Sequence, residues 1–262
     1  MSVSNKGVLY PARLPEFHRI AVSEELADLV RWLWIPEWNL EPGVSSRQMM
    51  IAFPALNVVV EADSVTLIGP TTRCSERELS GRGWAVGALL RPAAVPFFTD
   101  EPGALKNSQL ALSLPDVQSR VAAIMRASDS DSPEGRRSRA AGVLTDWFIS
   151  RATELSEEAK LANAMAELIE SDQEIVRLDD VALRLEISKR GVQRLAEKYI
   201  GLSPTAMIRR RRIQEAAYRV RTEPELSLAD IAVDYGYADH AHLTKEFQSI
   251  LGLKPSDYRR SD

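Results

Sequence analysis

Arg190, Gln193 and Arg194 fall within five residues of one another. Arginine and glutamine are the side chains that can hold a guanine or adenine edge with two hydrogen bonds. Ser188 and Lys189 precede them. Some fifty residues later His240, Ala241, His242, Thr244 and Lys245 occupy a comparable stretch, with fewer strong hydrogen-bonding groups. The chemistry on offer is recognition rather than reaction. No Ser-His-Asp or Cys-His spacing presents itself, and the glycine-rich pieces do not fit a phosphate loop. His240 and His242 are two apart and diverge on a helix, and Cys74 is far away, so the usual zinc spacings are missing. The expectation is no catalytic group, no metal and no cofactor. The plain alternative for each basic stretch is a charged, solvated helix face.

The elements that must carry these residues follow from apolar spacing. Val181, Ala182 and Leu185 make one stripe, Leu185-Glu-Ile187 a turn, and Ser188 a cap for a helix that turns Val192 and Leu195 inward. Leu228, Ile231 and Ala232 repeat the first stripe. Gly236 supplies the chain reversal, Asp239 the cap, and Leu243, Phe247 and Ile250 the inward face. Each copy reads as a helix-turn-helix. Pro204 opens a helix between them that reaches about Arg221. Its four consecutive arginines, Arg209 to Arg212, go round the helix, so one or two of them, Arg209 and Arg210, are the candidates for a phosphate backbone.

The 262 residues suffice for two folded domains. One cysteine rules out a disulfide framework within the chain and fits a reducing cytoplasm. Met1 to Gly7 has no apolar signal core, and Leu26 to Ile35 is too short and too charged to span a membrane. The net charge is −4, unevenly spread. From Val176 onward there are 16 Lys+Arg against 13 Asp+Glu, which leaves 17 against 24 before it. The mild basic excess sits with the doubled motif.

The N-terminal part reads differently. Arg47–Phe53, Asn57–Glu61, Ser64–Ile68 and Trp84–Leu90 are strand-like runs separated by Gly and Pro, which points to a small β-sandwich or barrel. Trp32, Trp34, Trp38 and Trp84 are large aromatics that could line an effector pocket, or could simply be packing. From Leu114-Pro115 the period becomes helical. Ser128 to Pro133 reads as an exposed linker, and Val143, Leu144, Trp147 and Phe148 form a stripe that either contacts a second copy or packs on its own domain. Ser156-Glu-Glu then starts another helix.

Tyr235-Gly-Tyr-Ala-Asp-His-Ala-His-Leu-Thr-Lys-Glu-Phe247, Gly252-Leu-Lys-Pro255 and Gly201-Leu-Ser-Pro204 resemble the double helix-turn-helix domain of AraC/XylS-type transcriptional regulators. The resemblance spans about Glu157 to Arg260. It implies that the second helix of each unit enters the major groove of double-stranded DNA, about one turn apart. It places Arg190, Gln193 and Arg194 at base-reading positions of the first unit, His240, Ala241, His242 and Lys245 at those of the second, and Ser188 and Thr244 nearer the sugar-phosphate rail. Two positions depart from the family pattern. Ala196 stands where a large apolar residue is usual, and Gly191 costs its helix about 1 kcal/mol. Leu33-Trp-Ile35, Gly69-Pro-Thr-Thr-Arg73 and Gly83 to Pro92 resemble the cupin-like sensing domain of one large, poorly characterised subgroup. The expected architecture is multidomain α+β: a cupin-like β-barrel over 1–113 for sensing or dimerisation, linker helices over 114–155, and an all-α double helix-turn-helix over 156–262. The expected function is a cytoplasmic, effector-responsive DNA-binding regulator. A small molecule, a second copy and, for an activator, RNA polymerase are its further partners. The alternative is a regulator whose N-terminal domain only dimerises.

Overall fold

The computed structural model describes residues 16–50, 54–127 and 132–260. Most of the stretch expected to be the 128–133 linker, and the end of the strand expected to reach Phe53, lie outside the described residues. Among the described residues nine strands come first: β1 Glu16–Ile20, β2 Val30–Asn39, β3 Ser45–Met50, β4 Asn57–Val60, β5 Val65–Ile68, β6 Ser75–Ser80, β7 Arg82–Trp84, β8 Val86–Leu90 and β9 Gln109–Ala111. The helices follow: α1 Pro115–Arg126, α2 Pro133–Ile149, α3 Glu157–Ser171, α4 Leu178–Arg184, α5 Lys189–Tyr199, α6 Pro204–Thr222, α7 Leu228–Asp234, α8 His240–Leu251 and α9 Pro255–Arg259.

The strands do not close into a cupin-like barrel, which corrects the expected fold. Seven of them form one antiparallel sheet in the order β1-β2-β8-β4-β5-β9, with β7 paired to the far end of β2. β3 and β6 pair only with each other in a separate two-stranded sheet. Among the described residues β1 and β9 each have a partner on one side only, so the sheet has two open edges. Alternation along a strand dictates which face is buried but not what buries it. Here helices supply much of the cover. α2 packs on β2 and β8, and α1 on β4. β8 is consequently buried along its whole length. The apolar stripe of α2, with Ala140, Val143, Leu144 and Phe148 buried, is covered by this chain itself.

The cores divide in an unexpected place. One continuous cluster runs from Leu26 in the sheet region through α1 to α5 and ends at Met207 and Ile208 in α6. A second, separate cluster begins at Ile213, still in α6, and takes in Ile231, Leu243, Phe247 and Tyr258. The helix-turn-helix α4–α5 therefore shares its core with the N-terminal sheet, whereas α7–α8 has its own.

Candidate nucleic-acid interface

The two units repeat nearly bond for bond. In the first, Leu185 N donates to Val181 O and Ile187 N to Ala182 O. In the second, Tyr235 N donates to Ile231 O and Tyr237 N to Ala232 O, fifty residues on. The residue between takes a left-handed conformation in both, Glu186 at φ 55° and Gly236 at φ 69°. Only the glycine adopts it without cost, so the second turn carries a residue marked for the left-handed conformation and the first does not, although both turns lie where the apolar spacing puts them. Ser188 Oγ accepts from Gly191 N at 3.1 Å, and Asp239 Oδ1 from His242 N at 2.7 Å, capping α5 and α8 as their types require. The cap at Ser188 also offsets part of the cost of Gly191.

Ser188, Lys189, Arg190, Gln193 and Arg194 are all exposed on α5, as are His240, Ala241, His242 and Lys245 on α8. Their engagements differ. Lys189 Nζ lies 2.8 Å from Asp179. Arg194 lies 3.2 Å from Glu158 on α3, and Lys198 bonds the same carboxylate; the Lys198 hydrogen bond, helped by Tyr199 and Arg194 and opposed by desolvation, holds it below the usual carboxylate range. Glu158 thus gathers two cations of the first reading helix. Sequence reasoning missed it, because nothing local to Glu158 marks its partner forty residues away. On α8 the His242 ring turns back on its own loop: Nδ1 accepts from Ala238 N at 3.4 Å, and the ring meets Tyr237 edge-on at 5.3 Å. Thr244 is half-buried, its hydroxyl enclosed without a hydrogen-bond partner.

The arginine run of α6 fans out as the helical period requires. Arg209 bonds Glu246 of α8. Arg210, 6% exposed, is enclosed and does not present itself to a phosphate. Arg211 donates to the carbonyls of Asp172 and Ile175, both at 2.6 Å, just ahead of the first unit. Arg212 donates to Tyr235 O at 2.7 Å in the second unit's turn, with its guanidinium 4.4 Å from the Tyr237 ring. Arg211 and Arg212 fasten the two units to the connecting helix.

The first unit is also fastened to the sheet region. Asn163 Nδ2 donates to Asp28 O at 2.8 Å, while its Oδ1 accepts from Ala93 N at 2.9 Å. Gly201, at φ 80°, sits so close to the Pro102–Leu105 turn that a Cβ there would fall 2.4 Å from the Pro102 carbonyl carbon. α5 packs on this turn and on the Pro92–Phe97 turn. The small Ala196, fully buried, is thus covered in part from the N-terminal region. Among the described residues the second unit meets the sheet region at Cys74, whose N donates to Ile250 O at 2.7 Å and which packs against the second core.

The four tryptophans do not converge. Trp32, Trp34 and Trp38 lie on one face of β2, whereas Trp84 stands opposite Glu37 in the register and so faces the other way. Trp34 and Trp38 lie against Gly87 and Gly83 of the neighbouring strands, where a Cβ would fall 2.0 and 2.3 Å from their rings. Trp32 is flanked by Arg19 and Arg31 at 4.7 and 5.0 Å. Trp38 and Trp84 border an open cleft with Glu37, Arg82 and Met125. Among the described residues no group of three or more His, Cys, Asp or Glu could hold a metal ion. Nor is any described helix long and apolar enough to cross a membrane.

Comparison with known proteins matches two separate stretches of the chain. A helix-turn-helix domain family matches residues 181–261, and a domain of unknown function, DUF6597, matches residues 18–111. The transcriptional activator AarP of Providencia stuartii is 40% identical over 85 residues, which is 32% of this chain and 62% of AarP. The probable transcription factor PqrA of Proteus vulgaris is 30% identical over 86 residues, 33% of this chain and 70% of PqrA. The structure of ToxT from Vibrio cholerae aligns over 94% of this chain and 97% of its own, at 13% identity and a TM-score of 0.43. The chain spans less than two thirds of AarP.

Proposed function

The chain belongs to the AraC/XylS-type family of helix-turn-helix transcriptional regulators, and on that premise we propose that it reads two adjacent major-groove segments of double-stranded DNA in response to a small molecule. The observation that carries the reading is the doubled unit with an exposed polar face on each second helix. In the first unit Arg190, Gln193 and Arg194 read base edges, while Ser188 and Lys189 position the helix on the backbone. In the second unit His240, Ala241 and Lys245 face the groove. With fewer bidentate side chains, that unit contributes more to register than to sequence discrimination. Arg209 reaches a phosphate once it leaves Glu246. An N-terminal part mounted on the first unit is the natural place for an effector to act.

The test is selection from a random DNA pool by the full chain at about 0.1 M salt, where non-specific phosphate contacts are partly screened. The expected product is a bipartite site with halves about one helical turn apart. Failure of the full chain to enrich any sequence refutes the reading. On the selected site Arg194→Ala should cost about 1–3 kcal/mol of discrimination. Equal loss on all sequences reassigns Arg194 to the backbone.

A further inference from the structure

We propose that the cleft at β7 binds an aromatic carboxylate. β7 is Arg82-Gly-Trp84, paired with the far end of β2. Two lobes open beside it, of about 640 and 610 Å³, one reaching toward β3 and β6 and the other toward residues 61–64. Trp38, Arg82, Gly83, Trp84 and Met125 line both, so the lobes are parts of one cleft. Each lobe falls within the roughly 300–1,000 Å³ of ordinary small-molecule sites. The lining is aromatic where the lobes meet. Trp38 lies across Gly83, where a Cβ would fall 2.3 Å from its ring. Arg82 and Trp84 are two apart on one strand, so they share a face, opposite Asn39 and Glu37 of β2. The cleft is at the end of β2 away from Arg31, which bonds Glu170 of α3, so it is distinct from the seam with the first DNA-reading unit.

Two of these side chains are uncommitted. Trp32 lies between Arg19 and Arg31, and Trp34 stacks on Phe17. Trp38 donates to Ser80 O, and Trp147 packs on Phe98 and Phe148. Trp84 is half-buried and, among the described residues, has neither a ring nor a cation against it and makes no hydrogen bond. Charge singles out its neighbour. Four carboxylates border the cleft, those of Glu16, Glu37, Glu61 and Asp63. Each already has an arginine. Arg137 lies 3.1 Å from Glu16, Arg136 and Arg137 both lie 2.6 Å from Glu37, Arg77 bonds Glu61, and Arg126 lies 3.6 Å from Asp63. The exposed Arg82 pairs with no carboxylate among the described residues. An exposed guanidinium is solvated and carries no penalty where it stands. What it offers is a planar fork of donors, free to take a carboxylate with two hydrogen bonds. The indoles supply the rest, since a ring stacked on them buries apolar area that a short-chain acid lacks. A cationic ring also suits an indole face, but here it would meet the one arginine without a counter-ion and carboxylates that are already bonded. The effect of the occupant on DNA binding rests on the effector-responsive reading above; the binding itself does not.

The experiment uses the full chain with nitrogen-15 in its indoles. Its five tryptophans give one indole N–H signal each, assigned with Trp38→Phe and Trp84→Phe. Sodium naphthoate is titrated to about 5 mM, with sodium acetate and naphthylmethylamine as comparisons. The expected result is a saturable shift of the Trp38 and Trp84 signals with naphthoate, with Trp147 unmoved and no saturable shift from acetate or the amine. Arg82→Gln removes the charge from an exposed side chain and so keeps the fold; it should weaken naphthoate at least about fivefold. Trp84→Leu, which removes the stacking face, should also weaken it. No saturable shift with naphthoate, equal affinity for the amine, shifts that spare both Trp38 and Trp84, or unchanged affinity in Arg82→Gln overturns the site. DNA affinity on the selected bipartite site is then measured with and without saturating naphthoate. A change of at least about threefold, lost in Arg82→Gln, supports an effector role. Unchanged affinity removes that role and leaves DNA recognition, established without naphthoate, untouched.

Discussion

The separate core of the second helix-turn-helix makes its stability independently measurable. Phe247 is fully buried there among Ile213, Ile231, Leu243 and Tyr258, and its ring lies 5.8 Å from that of Tyr258. Phe247→Ala should cost about 3–5 kcal/mol. A unit of roughly 50 residues holds about 2.5–7 kcal/mol at the usual stability per residue, so the substitution removes most or all of it. The remaining core, from Leu26 to Ile208, contributes no atom to that cluster and should stay folded. The assay is built into the chain. All five tryptophans, at 32, 34, 38, 84 and 147, lie outside the second unit. Far-UV circular dichroism follows the helices of both cores, whereas tryptophan fluorescence follows only the first. The variant should show an early loss of helical signal with no fluorescence change, then a second transition seen by both probes. On DNA, protection should shrink to the half-site read by α5. A single transition at one temperature by both probes would refute the two-core reading and mean that α6 couples the units into one cooperative body.

The seam with the first unit makes the opposite demands. Asn163→Ala leaves Asp28 O and Ala93 N unpaired and should cost about 2–4 kcal/mol, read as a lower Tm in tryptophan fluorescence. Gly201→Ala meets both a left-handed φ and the Pro102 backbone. It should cost more than about 2 kcal/mol and increase amide exchange in α5 before α8. Glu158→Gln releases Arg194 and Lys198 from a competing carboxylate. Affinity for the selected DNA should rise about two- to tenfold at low salt, and the gain should shrink as salt screens it; weaker binding would mean that Glu158 positions Arg194 rather than withholding it.

What was legible in the sequence is what local spacing determines. The stripes Val181-Ala182 and Ile231-Ala232, the caps Ser188 and Asp239, and the reversal at Gly236 all lie where the periodicity and turn chemistry put them. The strands around Asn57–Val60 and Val65–Ile68 are equally local. Closure is not a local property. The same alternation serves a barrel wall or an open sheet under helices, and the α2 stripe at Val143, Leu144 and Phe148 was the cover that the strand pattern could not name. The tryptophans held a signal that was passed over. Positions 32, 34 and 38 share parity on one strand, so they line one face, and of these Trp38 borders an open cleft together with Trp84. The contacts of Asn163, Glu158 and Gly201 join residues dozens to more than a hundred positions apart, with no periodic trace.

The unequal mounting of the two units constrains how the N-terminal part can act on DNA binding. The first unit shares its core with the sheet, so it cannot shift without disturbing Asn163, Gly201 and the packing of α5. The second is held by α6 and at Cys74, which bonds Ile250 and packs at the margin of its core, while its buried core residues are all its own. Arg211 and Arg212 are adjacent on α6, one fastening the first unit's approach and the other the second unit's turn. A displacement of α6 at the seam therefore changes the placement of α8 relative to α5 more readily than it changes α5 relative to the sheet. A rigid element with two discrete seats is the physical requirement for coupling two sites, and α6 is the element that touches both. Control of DNA affinity in this chain should accordingly show itself in the second half-site, with contacts of the first half-site left in place.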